Sequence, residues 1–397
     1  MSDAVAIVGG GPAGSYVATE LARAGRHVVL MDEKLAWEKP CGGGITHKAL
    51  SQYPFLRDEH VERNWVDRCE LTSPSGQRVC FPLGQPIAIF SRRVLNGFLL
   101  ERAKTAGAKL VQSRVTSIQG SAGAWQLQST SGLMGAAYLV LAAGARNPFR
   151  SQFSLQFSPS DLMATAGYYV PGNSSCMQLQ FLQGLHGYIW IFPRSDHFSA
   201  GICGRMGRMS TAELRRLLEK TLSAAGLDFS RAKFYSHVLP ALSSSALRHS
   251  RVSGPGWAMV GDAAGLVDPI TGEGLYYALR SAELLTSALL EDAPEAYSYL
   301  LEQHVLAELE MAARVANRFF TGEWMGEAVP EMMVHYTQTS EHFRQLMCDL
   351  FAGTQGYRDL RQRLYRTLPS IAAESAVRAL GLRRDRSPMP SELRSAS

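Results

Sequence analysis

The chain has 397 residues, 46% of them hydrophobic and 19% charged, with a formal net charge of +5. At about 100–200 residues per domain the length points to two domains, and the composition excludes a disordered, collagenous or coiled-coil protein. The most apolar stretch, Ala136 to Ala143, is far shorter than the roughly 18 residues a spanning helix needs, so no membrane span is expected.

Residues 4–8 read as a short buried strand, followed by a glycine loop, a helix from Ala13 to Ala24 and a strand over 27–32. Strand, helix and strand in about 30 residues make a βαβ unit, hence a parallel sheet. Residues 35–60 look irregular around a glycine cluster, and 65–90 look like short strands. A helix is predicted over 92–106, with Leu95, Leu99, Leu100 and Ala103 on one side. Strands and turns alternate over 109–143, and three or four antiparallel strands follow over 164–204. The helix predicted at 211–225 opens on a Ser/Thr cap with Glu213 close behind. A strand at 257–261 leads to a long helix from about Gly274. From 295 to 380 the chain reads as helical, with breaks near Pro330, Gly353, Gly356 and Pro369.

The charge is localised. Residues 358–397 hold nine arginines and four acids, which accounts for the whole excess. A nucleic-acid binder would show a basic face on its folded body, so no nucleic acid is expected. The basic arm reads as a solvated tail or as a contact for anionic lipid or an acidic partner. Six scattered cysteines without a CxxC pair form neither a zinc pattern nor a disulfide framework. With no signal segment ahead of the first strand, the expectation is a reduced, cytoplasmic protein, membrane-associated if the arm binds lipid.

The chemistry begins at Gly9-x-Gly11-x-x-Gly14, between strand and helix. Gly9 allows the tight turn, Gly11 lets the backbone approach a pyrophosphate, and Gly14 lets the helix pack on the sheet. Pro12 and Ala13 open the helix, whose N-terminus offers amide donors and partial positive charge to phosphates. Asp32 ends the second strand, where a carboxylate can accept from an adenosine ribose. Glu33 is the neighbouring candidate, although alternation along a strand turns it the other way.

Far downstream, WAMVGDAAGLVDPITGEGL (257–275) resembles the second cofactor signature of flavoproteins with the p-hydroxybenzoate hydroxylase fold. The resemblance implies FAD, with Gly261 and Asp262 at the ribityl chain and Gly272, Glu273 and Gly274 at the pyrimidine side of the flavin ring. A helix N-terminus there would stabilise negative charge on reduced flavin. SRRVLNGFL resembles the superfamily's Arg-x-x-(Phe/Leu)-Asp helix start. It implies that Arg92 contacts the adenosine–diphosphate half, with Asn96 in place of the usual Asp; an exposed helix-terminal arginine is the plain alternative. Val115, Ala143 and Gly144 are further cofactor contacts by the same resemblance.

Two more segments narrow the family. KPCGGGIT (39–46) and YIWIFP (188–193) resemble the Lys-Pro-Cys-Gly-Gly-Gly and Tyr-x-Trp-x-Phe-Pro segments of the geranylgeranyl reductase family. The following Gly201-Ile-Cys-Gly204 is one residue longer than that family's Gly-x-Gly, so the turn closing the pocket is expected to differ. Gly42, Gly43 and Gly44 would let the main chain lie flat against a planar ring, with the Cys41 thiol beside it as a proton donor or as a packed bystander. Tyr188, Trp190 and Phe192 alternate along a strand, so all three face one side, as an aromatic wall over an apolar ligand or as ordinary sheet core.

The fold class expected is α/β: a Rossmann-type FAD domain from 1–44, 91–150 and 245–290, an antiparallel substrate domain from 45–90 and 151–244, a helical region at 291–380 and a tail at 381–397. The resemblance implies reduction of carbon–carbon double bonds in a prenyl or other apolar substrate by hydride from reduced flavin, with Cys41 and then Tyr188 as proton-side residues. NAD(P)H or a reduced carrier would supply the electrons. Two alternatives remain: a monooxygenase or halogenase acting on an aromatic small molecule, and an electron-transfer or non-catalytic flavoprotein. Ala143 and Asn147 replace the Asp and Ser of the hydroxylase motif, and residues 49–103 lack the lysine a halogenase needs.

Overall fold

A computed structural model describes residues 3–324 and 327–379. The strand Val5–Val8 is buried along its whole length, as a central parallel strand covered on both faces must be. It pairs in parallel with Val28–Asp32 on one side and Tyr138–Leu141 on the other. The six-stranded sheet is completed by Lys109–Gln112 beyond the former and by Trp257–Met259 and Ser253–Gly254 beyond the latter. Helices Pro12–Arg23, Arg92–Thr105 and Leu275–Leu290 pack into its core. The chain leaves the central strand between two parallel neighbours, which opens a crevice at the carboxyl ends of the strands.

The second sheet has eight strands, in the spatial order Lys233–Pro240, Leu162–Pro171, His197–Arg205, Gly187–Pro193, Cys176–Gln180, Asn64–Thr72, Arg78–Ile89, Gly44–Ile45. The short strands expected over 65–90 are two long ones with a bulge between Val66 and Arg68. The sheet is antiparallel except where Cys176–Gln180 runs parallel to Asn64–Thr72, a pairing of distant segments that local pattern does not encode. Helix Thr211–Ala224 covers one face with Leu214, Leu218 and Leu222. It starts at the predicted place because Ser210 and Glu213 form a reciprocal capping box. The other face looks toward the C-terminal helices.

Those helices are Ala296–Leu301, which continues through a π turn into Ala307–Thr321, then Val329–Thr339, Glu341–Ala352 and Tyr357–Ala379. Pro330 stands in a first turn and Gly353 (φ +75°) ends a helix, as predicted. Pro369 breaks nothing: Tyr357–Ala379 runs through it, held by Leu360 and Leu364 in the second core and by buried Ile371. Residues 35–60 are not wholly irregular either. They hold the one-turn helices His47–Gln52, capped by Thr46, and Phe55–Asp58, too short to show a period.

Candidate active site

A cavity of about 480 Å³ runs from the glycine loop at the crevice to the C-terminal helices, between the two sheets. At the loop, a Cβ on Gly9 (φ +113°) would lie 2.3 Å from the Ala142 carbonyl oxygen, and one on Gly14 2.0 Å from that of Gly9. These two glycines serve the turn and the helix–sheet contact and do not themselves line the cavity. Gly11, Pro12 and Ala13 do line it, and Gly11 has open space where its Cβ would be. No side chain caps this helix N-terminus, so its first amides are free for an anion.

Asp32 lines the cavity; its carboxylate accepts from the backbone N–H of Gly10 at 2.7 Å, Lys34 at 2.7 Å and Leu35 at 2.8 Å. Glu33 lies outside, half-exposed, 3.8 Å from Arg114, so strand alternation removes it from the cofactor set. Val115 also leaves that set. It is buried in the first core, on the strand Val115–Gln119, and forms no part of the cavity wall. Arg92 is on the wall and only 4% exposed, so the exposed-arginine alternative falls. Its guanidinium donates to Asn96 Oδ1 at 3.3 Å, while its Nε has no protein partner.

Ala143, Gly144, Gly261 and Asp262 follow along the wall. Asp262 Oδ2 accepts from Lys39 Nζ at 2.8 Å. Burial alone would raise this carboxyl, but the Lys39 ammonium outweighs it and holds the group below the usual range. Nothing in the sequence pattern paired these residues, 223 positions apart. Gly272 takes φ +71° and its N–H donates to the Asp268 carbonyl at 2.9 Å, while Gly274 opens helix Leu275–Leu290 without a side-chain cap.

Two of the three glycines after Cys41 have a steric reason. A Cβ on Gly43 (φ +87°) would sit 2.1 Å from the Phe90 carbonyl oxygen, and one on Gly42 2.7 Å from the Phe192 ring. Cys41, Gly42, Gly43 and Gly44 all line the cavity, and Cys41 Sγ accepts from the Gly43 N–H at 3.3 Å. The Cys41 carbonyl is gripped by fully buried Arg194 at 2.8 Å and by Ser199 Oγ at 2.9 Å. Arg194 also donates to Glu38 at 2.7 Å, and Glu38 accepts from the backbone N–H groups of Arg92 and Arg93. Sequence reasoning missed this joint; the available signal was an arginine directly after YIWIFP.

Tyr188, Trp190 and Phe192 all line the cavity, as their period-two spacing requires. The Tyr188 hydroxyl donates to the Thr271 carbonyl, which ties the aromatic strand to the second glycine turn; burial raises its pKa well above the ordinary value. Gly201 and Gly204 lie in a strand rather than a closing turn. A Cβ on Gly201 would fall 2.2 Å from the Trp190 ring.

The sequence reading also missed the far wall. Phe319, Met333, Met347, Leu350, Phe351 and Leu360, all from the C-terminal helices, complete the apolar end. Beside them stand Asp268, Glu273, Glu308 and Tyr357. Asp268 accepts from Ile270 N–H at 2.8 Å, Thr271 N–H at 3.2 Å and the Tyr357 hydroxyl at 2.9 Å, and burial raises its pKa. Glu273 accepts from Thr46 Oγ1 at 2.9 Å and is pushed up to about 7, first by burial and then by Asp268. His237, also on the wall, is pushed down to about 3 by burial and by Lys39, so it is neutral, and its buried Nε2 has no protein partner.

Residues 4–323 match the lycopene cyclase protein family. A geranylgeranyl diphosphate reductase of Synechocystis is 31% identical over 327 residues, covering 72% of this chain and 75% of that protein. The chain belongs to the lycopene cyclase and geranylgeranyl reductase family. A menaquinone reductase of Mycolicibacterium smegmatis is 29% identical, covering 79% of this chain and 83% of the relative. Among solved structures, a geranylgeranyl bacteriochlorophyll reductase-like protein from Thermoplasma acidophilum superposes with a TM-score of 0.76 at 17% identity, over 95% of this chain and 99% of that one. The α/β flavoprotein architecture and the oxidoreductase class read from the motifs therefore hold for this member of the family.

Proposed function

We propose that this geranylgeranyl reductase family member binds FAD and reduces carbon–carbon double bonds of a prenyl chain. The observation that carries it is the single cavity with two chemically distinct ends: uncapped amides, Asp32 and buried Arg92 at one, and an apolar wall from the second sheet and the C-terminal helices at the other. The unpartnered Arg92 Nε and His237 Nε2 and the open space at Gly11 suit a large polar ligand at the first end. Arg92 and the amides of Gly11 and Ala13 would hold the diphosphate, Asp32 the ribose, and Asp262 the ribityl chain.

When bound and reduced, FAD supplies hydride. An isolated alkene is a poor acceptor, so the protein must place it and keep water out. The aromatic strand and the C-terminal helices do both. Cys41, on a loop shaped to lie flat, is the proton-side residue this reading favours; the Tyr188 hydroxyl is already committed to Thr271. NAD(P)H or a reduced carrier protein would restore the flavin.

The test is anaerobic mixing of photoreduced enzyme with prenyl lipids and, separately, with aromatic small molecules under oxygen. Reoxidation by the prenyl lipid with gain of two hydrogens in the product is expected. Reoxidation by oxygen with hydroxylated or halogenated aromatic product would replace this function by a monooxygenase or halogenase.

A further inference from the structure

The strands Cys176–Gln180, Asn64–Thr72 and Arg78–Ile89 lie side by side in the second sheet. Their inward residues Leu71, Met177 and Leu179 line the cavity, so Arg68, Cys80 and Cys176 point to the other face by alternation. Helix Thr211–Ala224 packs on that outer face. Its apolar cluster takes strand residues from Leu162–Pro171, Gly187–Pro193 and His197–Arg205, and none from these three strands. There the register sets Cys176 opposite Arg68 and Cys80 opposite Glu70. Arg68 Nη2 donates to Cys80 Sγ at 3.5 Å, and the Cys176 thiol donates to the same sulfur. Of the six cysteines Cys80 alone is exposed, while Cys176 is half-buried. The Cys176 hydrogen bond, and then Arg68, hold the Cys80 thiol well below its ordinary value, against partial burial and the Glu70 carboxylate. The same bond raises Cys176, which keeps its proton.

We propose that Cys80 is a thiol-modification site, a nucleophile that exchanges with a low-molecular-weight disulfide and keeps the adduct because Cys176 cannot close on it. The step balances as an exchange. The Cys80 thiolate attacks one sulfur of the disulfide RSSR, the S–S bond breaks and a Cys80–S–S–R bond forms. The departing RS⁻ takes a proton from water, so Cys80 is oxidised and one half of RSSR is reduced to the thiol. A donor thiol and a guanidinium beside an exposed sulfur are what such reactivity needs. Release of the adduct would require Cys176 to attack Cys80 and form a disulfide with it. The strand Asn64–Thr72 stands between them. Two strand spacings come to about 9.5 Å, beyond the roughly 7 Å between Cα atoms that a disulfide can span. The two sulfurs can share a hydrogen bond and still be held too far apart to bond. Cys69, on the strand between, is fully buried, and burial keeps it protonated. Cys176 therefore activates Cys80 without resolving it.

The experiment incubates the full FAD-loaded chain with oxidised glutathione at neutral pH, blocks the remaining thiols with iodoacetamide and reads each cysteine by peptide mass spectrometry. Glutathione is expected on Cys80 ahead of the other cysteines, one per chain, with no disulfide between Cys80 and Cys176. The rate of iodoacetamide alkylation at Cys80, followed across pH, should be half-maximal at least about one unit below the ordinary thiol value. Cys176→Ala and Arg68→Gln should each move that midpoint upward and slow adduct formation at neutral pH at least about threefold. A midpoint at the ordinary thiol value, glutathione going first to another cysteine, a disulfide between Cys80 and Cys176, or variants that react like the wild type would each overturn the inference. If a variant does not fold, the wild-type midpoint and the site of the adduct decide by themselves.

Discussion

At the scale of single residues the site depends on charge placement. Asp262 is the sharpest case, because its carboxylate already neutralises Lys39. Asp262→Ala removes a charged acceptor worth about 1.5–3 kcal/mol to a ribityl hydroxyl and also frees a cation in the wall. FAD affinity should fall roughly tenfold or more, read by flavin fluorescence titration of the stripped protein; unchanged affinity would remove Asp262 from the cofactor set. Cys41→Ala is expected to act differently. The backbone of Gly42 to Gly44 is held by Phe90, Phe192 and the Arg194 grip on the Cys41 carbonyl, which stay in place when the Gly43 N–H loses its Sγ acceptor. Flavin content should stay normal while reoxidation by prenyl lipid slows by about 10²-fold or more, the usual scale of general-acid help. A normal rate would leave the thiol as packing. Arg194→Lys keeps the charge but cannot serve Glu38 and the Cys41 carbonyl with the same fork. It should slow the same step without loss of bound flavin, and a full rate would mean the loop holds itself.

At the scale of elements, the aromatic strand works because its neighbour is bare. Gly201 leaves the space that the Trp190 ring fills, and the Cβ of an alanine there would overlap it at 2.2 Å. Gly201→Ala should therefore lower stability by about 1–3 kcal/mol, the cost of overpacking a core, seen as an earlier denaturant midpoint. It should also blunt the tryptophan response to bound lipid. An unchanged midpoint would mean that the strand pair shifts freely. The short helices after Cys41 and the helix through Pro369 mark the limit of reading elements from local pattern. A one-turn helix has no measurable period, and a proline is tolerated when the contacts of its helix, here Leu360, Leu364 and Ile371, hold both sides.

At the scale of the whole molecule, the basic arm separates into two parts. The helix Tyr357–Ala379 is part of the fold: Leu360 lines the cavity and Tyr357 braces Asp268. Residues 380–397, with four arginines and two acids, lie outside the described residues, as does the predicted tail at 381–397. A cut after residue 357 would open the second core, so a test of membrane contact belongs after residue 379. If the terminal segment attracts anionic lipid, removing residues 380–397 should weaken binding to anionic vesicles with the melting temperature unchanged, and salt should weaken the wild type's binding. Equal binding would assign any membrane contact to the folded body, whose described helices include none long and apolar enough to cross a membrane.

By itself the sequence determined the parallel nucleotide-binding unit, both glycine turns, the aromatic strand and the family, because each is written in residues close together along the chain. A glycine pattern needs only its own turn, and the side that Tyr188, Trp190 and Phe192 share follows from the two-residue period of a strand. Only the tertiary structure decided that Lys39 neutralises Asp262, that Arg194 holds the Cys41 loop, that Val115 and Glu33 stand away from the cavity, and that the C-terminal helices supply its apolar wall and Glu308. Each of these joins, or separates, residues tens to hundreds of positions apart. Such pairings follow from how two sheets and a helical layer close on one another, and no local spacing carries that information.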